Sequence, residues 1–579
     1  MTTSVHYRLT AANPGAHRLQ VAATFPTGPA TLVFPSWAPG SYLMREFAKV
    51  ARDFSAATAD GSPVAVVQLS RNTWAVDADG PFTLTYEVYC REKSVRTPYL
   101  DGDLAFFLPS NVLVYDRDRP EQRFVVELDT PAGHVAVCPL GSEVHGPAVA
   151  RFEAPDLDTL MDSPIAVGPF EHTAFEVDGV PHHHWIEPGH NGDLARMNRD
   201  LRAIVVAARS TLGGELPYRR YDFVTLHMRA GHGGLEHKDC CVLLRPRLGF
   251  ATPDGHEEFL TLAAHEHFHA WNVKRIHPDT LGPHFDYARE HHTRDLWWLE
   301  GGTVYYEERI AYRSGAVTAD RHLARLADHA NKLRTTVGAR HLSLQDASFN
   351  AWVKLYRPGE DSGNSTVSYY LKGAVVIWAM DLELLHRTGG EAGVDTLLRE
   401  LWERWGRHGR GYPEAGTLHA IADRIAGGGG DWARWWAAHV EGTGPVALAA
   451  ALDRGGWSLV ESGGPATGAW LGIGLRAGSR IVVDTVREDG PSRGVLSPGD
   501  EILAFSGERV LDQDLSDRLK SAVPGQPVAV LLARDGRVRQ VDVLPGPPPP
   551  GDLKIADQSA IDPVRERVRS AWLSRAASP

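Results

Sequence analysis

Four cysteines, Cys90, Cys138, Cys240 and Cys241, are all that a chain of 579 residues contains. So few thiols do not build a disulfide framework, and vicinal Cys240 and Cys241 read as buried thiols rather than a redox pair. No apolar run approaches the roughly 20 residues of a membrane span. The start, Met1-Thr2-Thr3-Ser4-Val5-His6-Tyr7-Arg8, lacks the charged and apolar regions of a signal peptide. A cytoplasmic protein with no membrane partner is therefore expected. Long basic runs are missing too, and the net charge is −12, which argues against nucleic acid and anionic membranes as partners. There is no internal repeat. What is present, 43% hydrophobic and 23% charged residues, is the make-up of a soluble globular protein long enough for several domains.

The texture changes twice along the chain. Up to about 170, short apolar segments (30–34, 82–89, 123–128, 135–137) alternate with Gly, Pro and Asp, the pattern of β structure. One stretch, PSWAPGSYLMRE at 35–46, reads as a rigid turn with an aromatic plug. From about 190 helical periodicity takes over, beginning at 193–212, with a strand at 221–228, and continues to about 440 past a flexible 427–430. From about 455 strands return, at 481–486 and 528–533. Residues 545–551 hold four consecutive prolines and read as a stiff linker. Asp562 and Pro563 then start a short amphipathic helix over 565–573, docked or frayed. The fold class is multidomain α+β.

The chemistry concentrates at Ala263-Ala264-His265-Glu266-His267-Phe268-His269, which contains HExxH. Two histidines four apart on a helix point the same way, so both rings reach one metal ion at about 2.0–2.1 Å. Glu266 stands beside that site without being a ligand and is placed to move a proton of an attacking water. The alternative is a chance match in a chain with 27 histidines. His267 falls on another helix face and reads as a packing or surface residue. Thirty residues lie between His269 and Glu300, which sits in the apolar Leu296-Trp297-Trp298-Leu299-Glu300-Gly301-Gly302. A metal partner explains an acid in such a setting. Glu290, Glu307, Glu308 and His292 compete for the role on spacing alone. Gly233-Gly234-Leu235-Glu236 suits backbone running close to a ligand, or an ordinary turn. The tyrosines of Ser368-Tyr369-Tyr370-Leu371-Lys372-Gly373 are either oxyanion donors or core residues at a helix start.

Taken together these segments resemble the PDZ-containing glycyl aminopeptidase family of gluzincin metallopeptidases over nearly the whole chain. The resemblance rests on PSWAPGSYLMRE, SVRTPYLD (94–101), MDSPI (161–165), GGLEH (233–237) and HEHFHAWNVKRIHP (265–278). It continues through FDY with LWWLEGGTVYY, SFNAWVKLYRP with NSTVSYYLKGA, and LGIG with LSPGDEIL, all in order. It implies an N-terminal β domain (1–170) and a thermolysin-like, mainly α-helical catalytic domain (171–450). A PDZ domain (455–545) and a Pro-rich linker with a C-terminal helix (546–579) follow. It implies one Zn²⁺ per chain held by His265, His269 and Glu300, with Glu266 as general base. Tyr370 rather than Tyr369 would assist the transition state. Glu236 would bind the substrate's free amine, with Gly233 and Gly234 close to the substrate. The loop Leu471, Gly472, Ile473 and Gly474 would receive a peptide C-terminus. One departure is Lys238-Asp239-Cys240-Cys241, where a serine or threonine is commoner after GGLEH.

The expected activity is therefore removal of N-terminal residues, glycine first and alanine second, from peptides with a free N-terminus. The rivals are a broader aminopeptidase or endopeptidase, and a PDZ peptide-binding protein with a vestigial site.

Overall fold

Strand Phe82–Tyr89 buries Phe82, Leu84, Tyr86 and Val88 and exposes or half-exposes the residues between them. That period-two burial lets one face of a sheet cover a core. The computed structural model describes residues 4–141, 143–282, 284–462, 467–511 and 514–574. Phe82–Tyr89 lies within a seven-stranded sheet in the order Ala148–Ala154, Arg123–Thr130, Ser4–Asn13, Arg18–Phe25, Phe82–Tyr89, Ala51–Thr58, Pro63–Val64. Its pairings are antiparallel except that of Ser4–Asn13 with Arg123–Thr130. A four-stranded and a five-stranded sheet complete the N-terminal β layers.

The next sheet is mixed. Val180–Ile186 and Tyr221–Met228 are parallel neighbours, joined by the crossover helix Leu194–Thr211, as parallel pairing demands. Tyr221–Met228 pairs in parallel with Cys240–Pro246, which pairs antiparallel with Gly233–Glu236 at the edge. All four cysteine thiols are free and buried.

Behind this sheet three helices cross, Pro253–Phe268, Leu296–Arg313 and Tyr369–Arg387. The last two meet glycine on glycine. A Cβ on Gly301 would lie 2.7 Å from Tyr369 O and 2.8 Å from Gly373 Cα, and one on Gly373 would lie 2.6 Å from Trp297 O. The glycines that follow Glu300 and Tyr370 thus set how closely these residues' helices approach.

The hydrophobic core runs unbroken from Val5 through the β layers and helices to Trp572. The strands of 467–546 close around a separate core that includes Val483, Ile502, Val530 and Leu532. Trp457–Glu461 enters this module and Leu553–Asp557 leaves it, and the two strands pair antiparallel. The module is therefore carried on a two-stranded stem. The sequence reading has no strand at Leu553–Asp557. The tail helix, Pro563–Trp572, is docked: Trp572 is 1% exposed, and its indole N–H donates to the Tyr305 hydroxyl at 3.0 Å.

Candidate active site

The HExxH helix starts at Pro253 with Thr252 as its cap, whose hydroxyl accepts from Gly255 N at 3.1 Å. It ends at Phe268, so His269 is its last capping position. The Nε2 atoms of His265 and His269 stand 3.1 Å apart. Glu300 Oε2 lies 3.3 Å from His269 Nε2 and 3.8 Å from His265 Nε2. Donors about 2.1 Å from one tetrahedral centre are about 3.4 Å apart, so two imidazoles and one carboxylate in this arrangement fit a zinc ion and leave a fourth direction open. The fit rests on the donors alone.

Both rings are oriented from behind. Glu307 accepts from Nδ1 of His265, and the Asn272 carbonyl accepts from Nδ1 of His269 at 2.5 Å. With Nδ1 committed as donor, each Nε2 turns toward the shared point. Asn272 is itself fixed by its amide, which donates to Leu299 O at 3.0 Å and to Trp298 O and Thr303 Oγ1 at 3.3 Å. Burial disfavours charge on His265, but Glu307, Glu266 and Glu300 outweigh it and raise its pKa to about 10. Acids that favour a proton there favour a metal cation equally. Burial opposes charge on Glu300 too, and His269 and His265 more than offset it, holding that carboxyl below its ordinary value.

The rival donors are elsewhere. Glu308 pairs with Arg325 at 3.3 Å. His292 is exposed and faces Phe349 O at 2.8 Å. Glu307 supports His265 instead of joining the cluster. His267 is buried, its Nε2 2.5 Å from the Tyr218 hydroxyl.

Glu266 is 5% exposed. Burial raises its pKa to about 7, against the lowering effect of His265 and His269, and Glu236 adds to the rise. Its carboxylate lies against the edge strand: a Cβ on Gly234 would sit 2.0 Å from Glu266 Oε1, whereas one on Gly233 would meet nothing within 4 Å. Glu236 ends that strand. It is 4% exposed, and its Oε1 has no hydrogen-bond partner. Donor atoms of Glu236, Glu266 and His269 all lie within 4.8 Å of one another. Gly40 roofs Glu236 with φ +79, and a Cβ there would be 2.6 Å from Oε1. A cleft of about 820 Å³ has Trp37, Gly40, Tyr42, Glu236 and Lys274 in its wall, whereas the zinc donors, Glu266 and Tyr370 are not part of that wall.

Tyr370 is half-buried, and its hydroxyl lies 2.9 Å from that of Tyr356. Burial, then the charge of Glu300, keeps the phenol protonated far above its usual range. Tyr369 is fully buried. Tyr356, Asn272 and Gly40 have no assigned role in the sequence reading, although all three lie inside segments it singles out, SFNAWVKLYRP, HEHFHAWNVKRIHP and PSWAPGSYLMRE.

In the C-terminal module, Leu471 is buried and Gly472 has φ +71. Ile473 and Gly474 open strand Ile473–Arg476, which lies at a sheet edge. Among the described residues the N–H groups of Leu471 and Gly472 meet no backbone acceptor, while their carbonyls accept from Ser492 and Arg487.

Comparison with known families gives three matches in order. Residues 6–169 match the peptidase M61 N-terminal domain, residues 258–376 the M61 glycyl aminopeptidase domain, and residues 460–544 a PDZ domain. Among solved structures, the chain is similar to an aminopeptidase N family protein from Idiomarina loihiensis. That likeness has a TM-score of 0.90 and 25% identity, covering 98% of this chain and 100% of that one. An M1 zinc metallopeptidase from Deinococcus radiodurans gives 0.49 and 17%, over 77% of this chain and 95% of its own. No curated protein sequence matches the chain.

Proposed function

Because the chain belongs to the PDZ-containing M61 glycyl aminopeptidase family, we propose that it removes N-terminal glycine, and alanine less well, from peptides with a free amine. The observation that carries this reading is Glu236: a buried carboxylate with an oxygen unpartnered among the described residues, beside Glu266 and His269, in the wall of a cleft. A buried acid in need of a partner matches an ammonium that must be paired to be desolvated.

His265, His269 and Glu300 would hold one zinc ion per chain. When bound, it supplies Lewis acidity to the scissile carbonyl and to the water that attacks it. Glu266, with its pKa lifted to about 7, accepts a proton from that water and passes it to the departing amine. Tyr370, protonated throughout, donates to the carbonyl oxygen as charge builds there. Glu236 holds the substrate's ammonium and so sets which peptide bond is reached. Gly234 lets the edge strand run against Glu266. Gly40 closes the space above Glu236, and a closed space there favours a P1 residue with little or no side chain.

At the PDZ loop, the free N–H groups of Leu471 and Gly472, beside an edge strand, suit a peptide C-terminus added as a further strand.

The test is metal analysis with four anilides: glycine, alanine, leucine and N-acetylglycine. One zinc per chain, turnover in the order glycine, alanine, leucine, and none of the acetylated compound are expected. Equal turnover of acetylated and free glycine would overturn the exopeptidase reading, and bound zinc without any turnover would favour a peptide-binding protein. Glu266→Gln should keep zinc and lose about 10²–10⁴-fold in kcat, while Glu300→Ala should lose the zinc.

A further inference from the structure

Arg96 enters the site from the N-terminal β domain and has no ion-pair partner among the described residues. A tight turn presents it: Ser94 Oγ and Thr97 Oγ1 are 2.5 Å apart, Arg96 N donates to Ser94 Oγ at 3.0 Å, and Thr97 Oγ1 donates to Glu92 O at 2.9 Å. Its Nη2 donates to the Gly234 carbonyl at 3.0 Å. Its Nε is buried without an acceptor. Its charge acts on both Glu266 and Glu300. Arg45, whose Nε reaches only Ser41 Oγ at 3.4 Å, lies within the field of Arg96. Among the described residues neither guanidinium makes a direct ion pair, although Glu92 acts on Arg45 and Glu266 and Glu300 face the charge of Arg96, so Arg96 keeps donors for an anion that arrives with a ligand.

The position on the strand says which anion. A substrate whose amine is held at Glu236 and whose backbone follows the open edge of Gly233–Glu236 advances about 3.3 Å per residue. Two residues from Glu236, about 7 Å along, is Gly234, where Arg96 sits. In an extended dipeptide the terminal carboxylate lies at that distance from the amine. In a longer peptide the same place holds a neutral amide. We propose that Arg96 binds the C-terminal carboxylate of dipeptides, so that the enzyme prefers glycyl dipeptides over longer chains. This rests on the amine-binding role of Glu236 given above.

The experiment compares glycyl-leucine, glycyl-leucinamide and glycyl-leucyl-leucine in the wild type, Arg96→Gln and Arg96→Lys, with zinc content measured throughout. A charge-assisted contact should favour the free dipeptide over its amide by about 10- to 100-fold in kcat/KM. Arg96→Gln should bring that ratio close to one with zinc retained, the free dipeptide losing about 10- to 100-fold more than the amide, and Arg96→Lys should restore part of it. Equal losses on all three substrates would make Arg96 a support for the acidic cluster and overturn the proposal, as would a wild-type ratio of one. Calorimetric binding of the dipeptide and its amide to Glu266→Gln, with and without Arg96→Gln, gives the same ratio without turnover. A wild type inactive on every aminoacyl substrate whose dipeptide binding still depends on Arg96 would sink the peptidase reading and leave the carboxylate receptor standing.

Discussion

A Cβ on Gly234 would fall 2.0 Å from Glu266 Oε1 and 2.3 Å from its Cδ, so the edge strand can lie against that carboxylate only without a side chain. Gly234→Ala should push Glu266 out of position and lower kcat by about 10²–10⁴-fold, the range for losing a general base. Zinc should stay, because no ligand is on that strand. Gly233→Ala is the control, since its Cβ meets nothing within 4 Å and zinc, melting temperature and kcat should all hold. Full kcat in Gly234→Ala would mean Glu266 has room to move. A second residue, Asp162, ties the N-terminal domain to the catalytic one through Lys274 Nζ at 2.7 Å and His237 Nδ1 at 3.0 Å. Burial alone would raise its carboxyl, but Lys274 and His237 outweigh that and hold it well below the ordinary range. A depressed acid stabilises the fold above the unfolded pKa of about 3.9 and ceases to as pH falls below it. Lys274 is shifted upward by Asp162, against burial, so its share is present below about 10.4. Asp162→Asn should therefore cost about 3–5 kcal/mol at neutral pH, with a gap to wild type in urea melts that narrows below about pH 4. A gap independent of pH down to 3 would remove the ion pair as its cause.

The helices Leu296–Arg313 and Tyr369–Arg387 hold Glu300 and Tyr370, and the C-terminal helix Pro563–Trp572 braces them from behind. Trp572 packs on Trp457 at 5.4 Å and His322 at 5.1 Å between ring centroids, and bonds to Tyr305, whose hydroxyl reaches Asp381 at 2.5 Å. Trp572→Ala removes a fully buried side chain and should cost about 3–5 kcal/mol. The loss should show in hydrogen exchange of the two helices and leave the PDZ strands, with their own core, unchanged. Equal loosening of both would mean one cooperative unit. This brace was not legible beforehand. The HExxH spacing, the acid of Leu299-Glu300-Gly301 and the β texture before 170 are local patterns, and the structure has the corresponding elements in place. Choosing Glu300 over Glu307 on spacing alone was beyond reach, because both lie on one helix and both reach His265, Glu300 toward its Nε2 and Glu307 at its Nδ1. Gly40 acts through a contact that sequence distance hides, lying 196 positions before the Glu236 it touches. The strand Leu553–Asp557 was missed because its partner lies about a hundred residues earlier, and nothing in five residues after a proline run announces a pairing of that range.

At the scale of the whole molecule, the pairing of Trp457–Glu461 with Leu553–Asp557 makes the PDZ domain an insertion rather than a tail. The ladder continues to Ser462, whose N–H donates to Asp552 O at 2.7 Å, so the points where the module leaves and re-enters are already adjacent. Polar contacts join it to the catalytic domain. Asn364 Nδ2 donates to Val486 O at 2.9 Å, Asn364 Oδ1 accepts from Glu488 N at 2.8 Å, Arg487 Nη1 donates to Thr335 O at 2.5 Å, and Glu488 and Asp489 face His341 and Arg340. Surface contacts of this kind contribute about 0–1 kcal/mol each. Ending the chain after Gly455 would remove Trp457, Val568 and Trp572 from the main core together with the module, so loss of activity in that fragment would say nothing about the PDZ domain. Replacing 463–551 by Asn-Gly instead closes the two stem strands as a tight hairpin and keeps the C-terminal helix docked. That protein should fold, bind zinc and hydrolyse glycyl dipeptides within about threefold of wild type, since no group near the metal cluster is removed and no more than a few weak contacts of this size are lost. Truncation after Gly455 should yield an unstable protein. An excised protein with native zinc content and melting temperature but no dipeptide turnover would make the PDZ domain part of the catalytic apparatus. Normal dipeptide turnover with loss on long peptides alone would instead locate its role in holding the far end of the substrate.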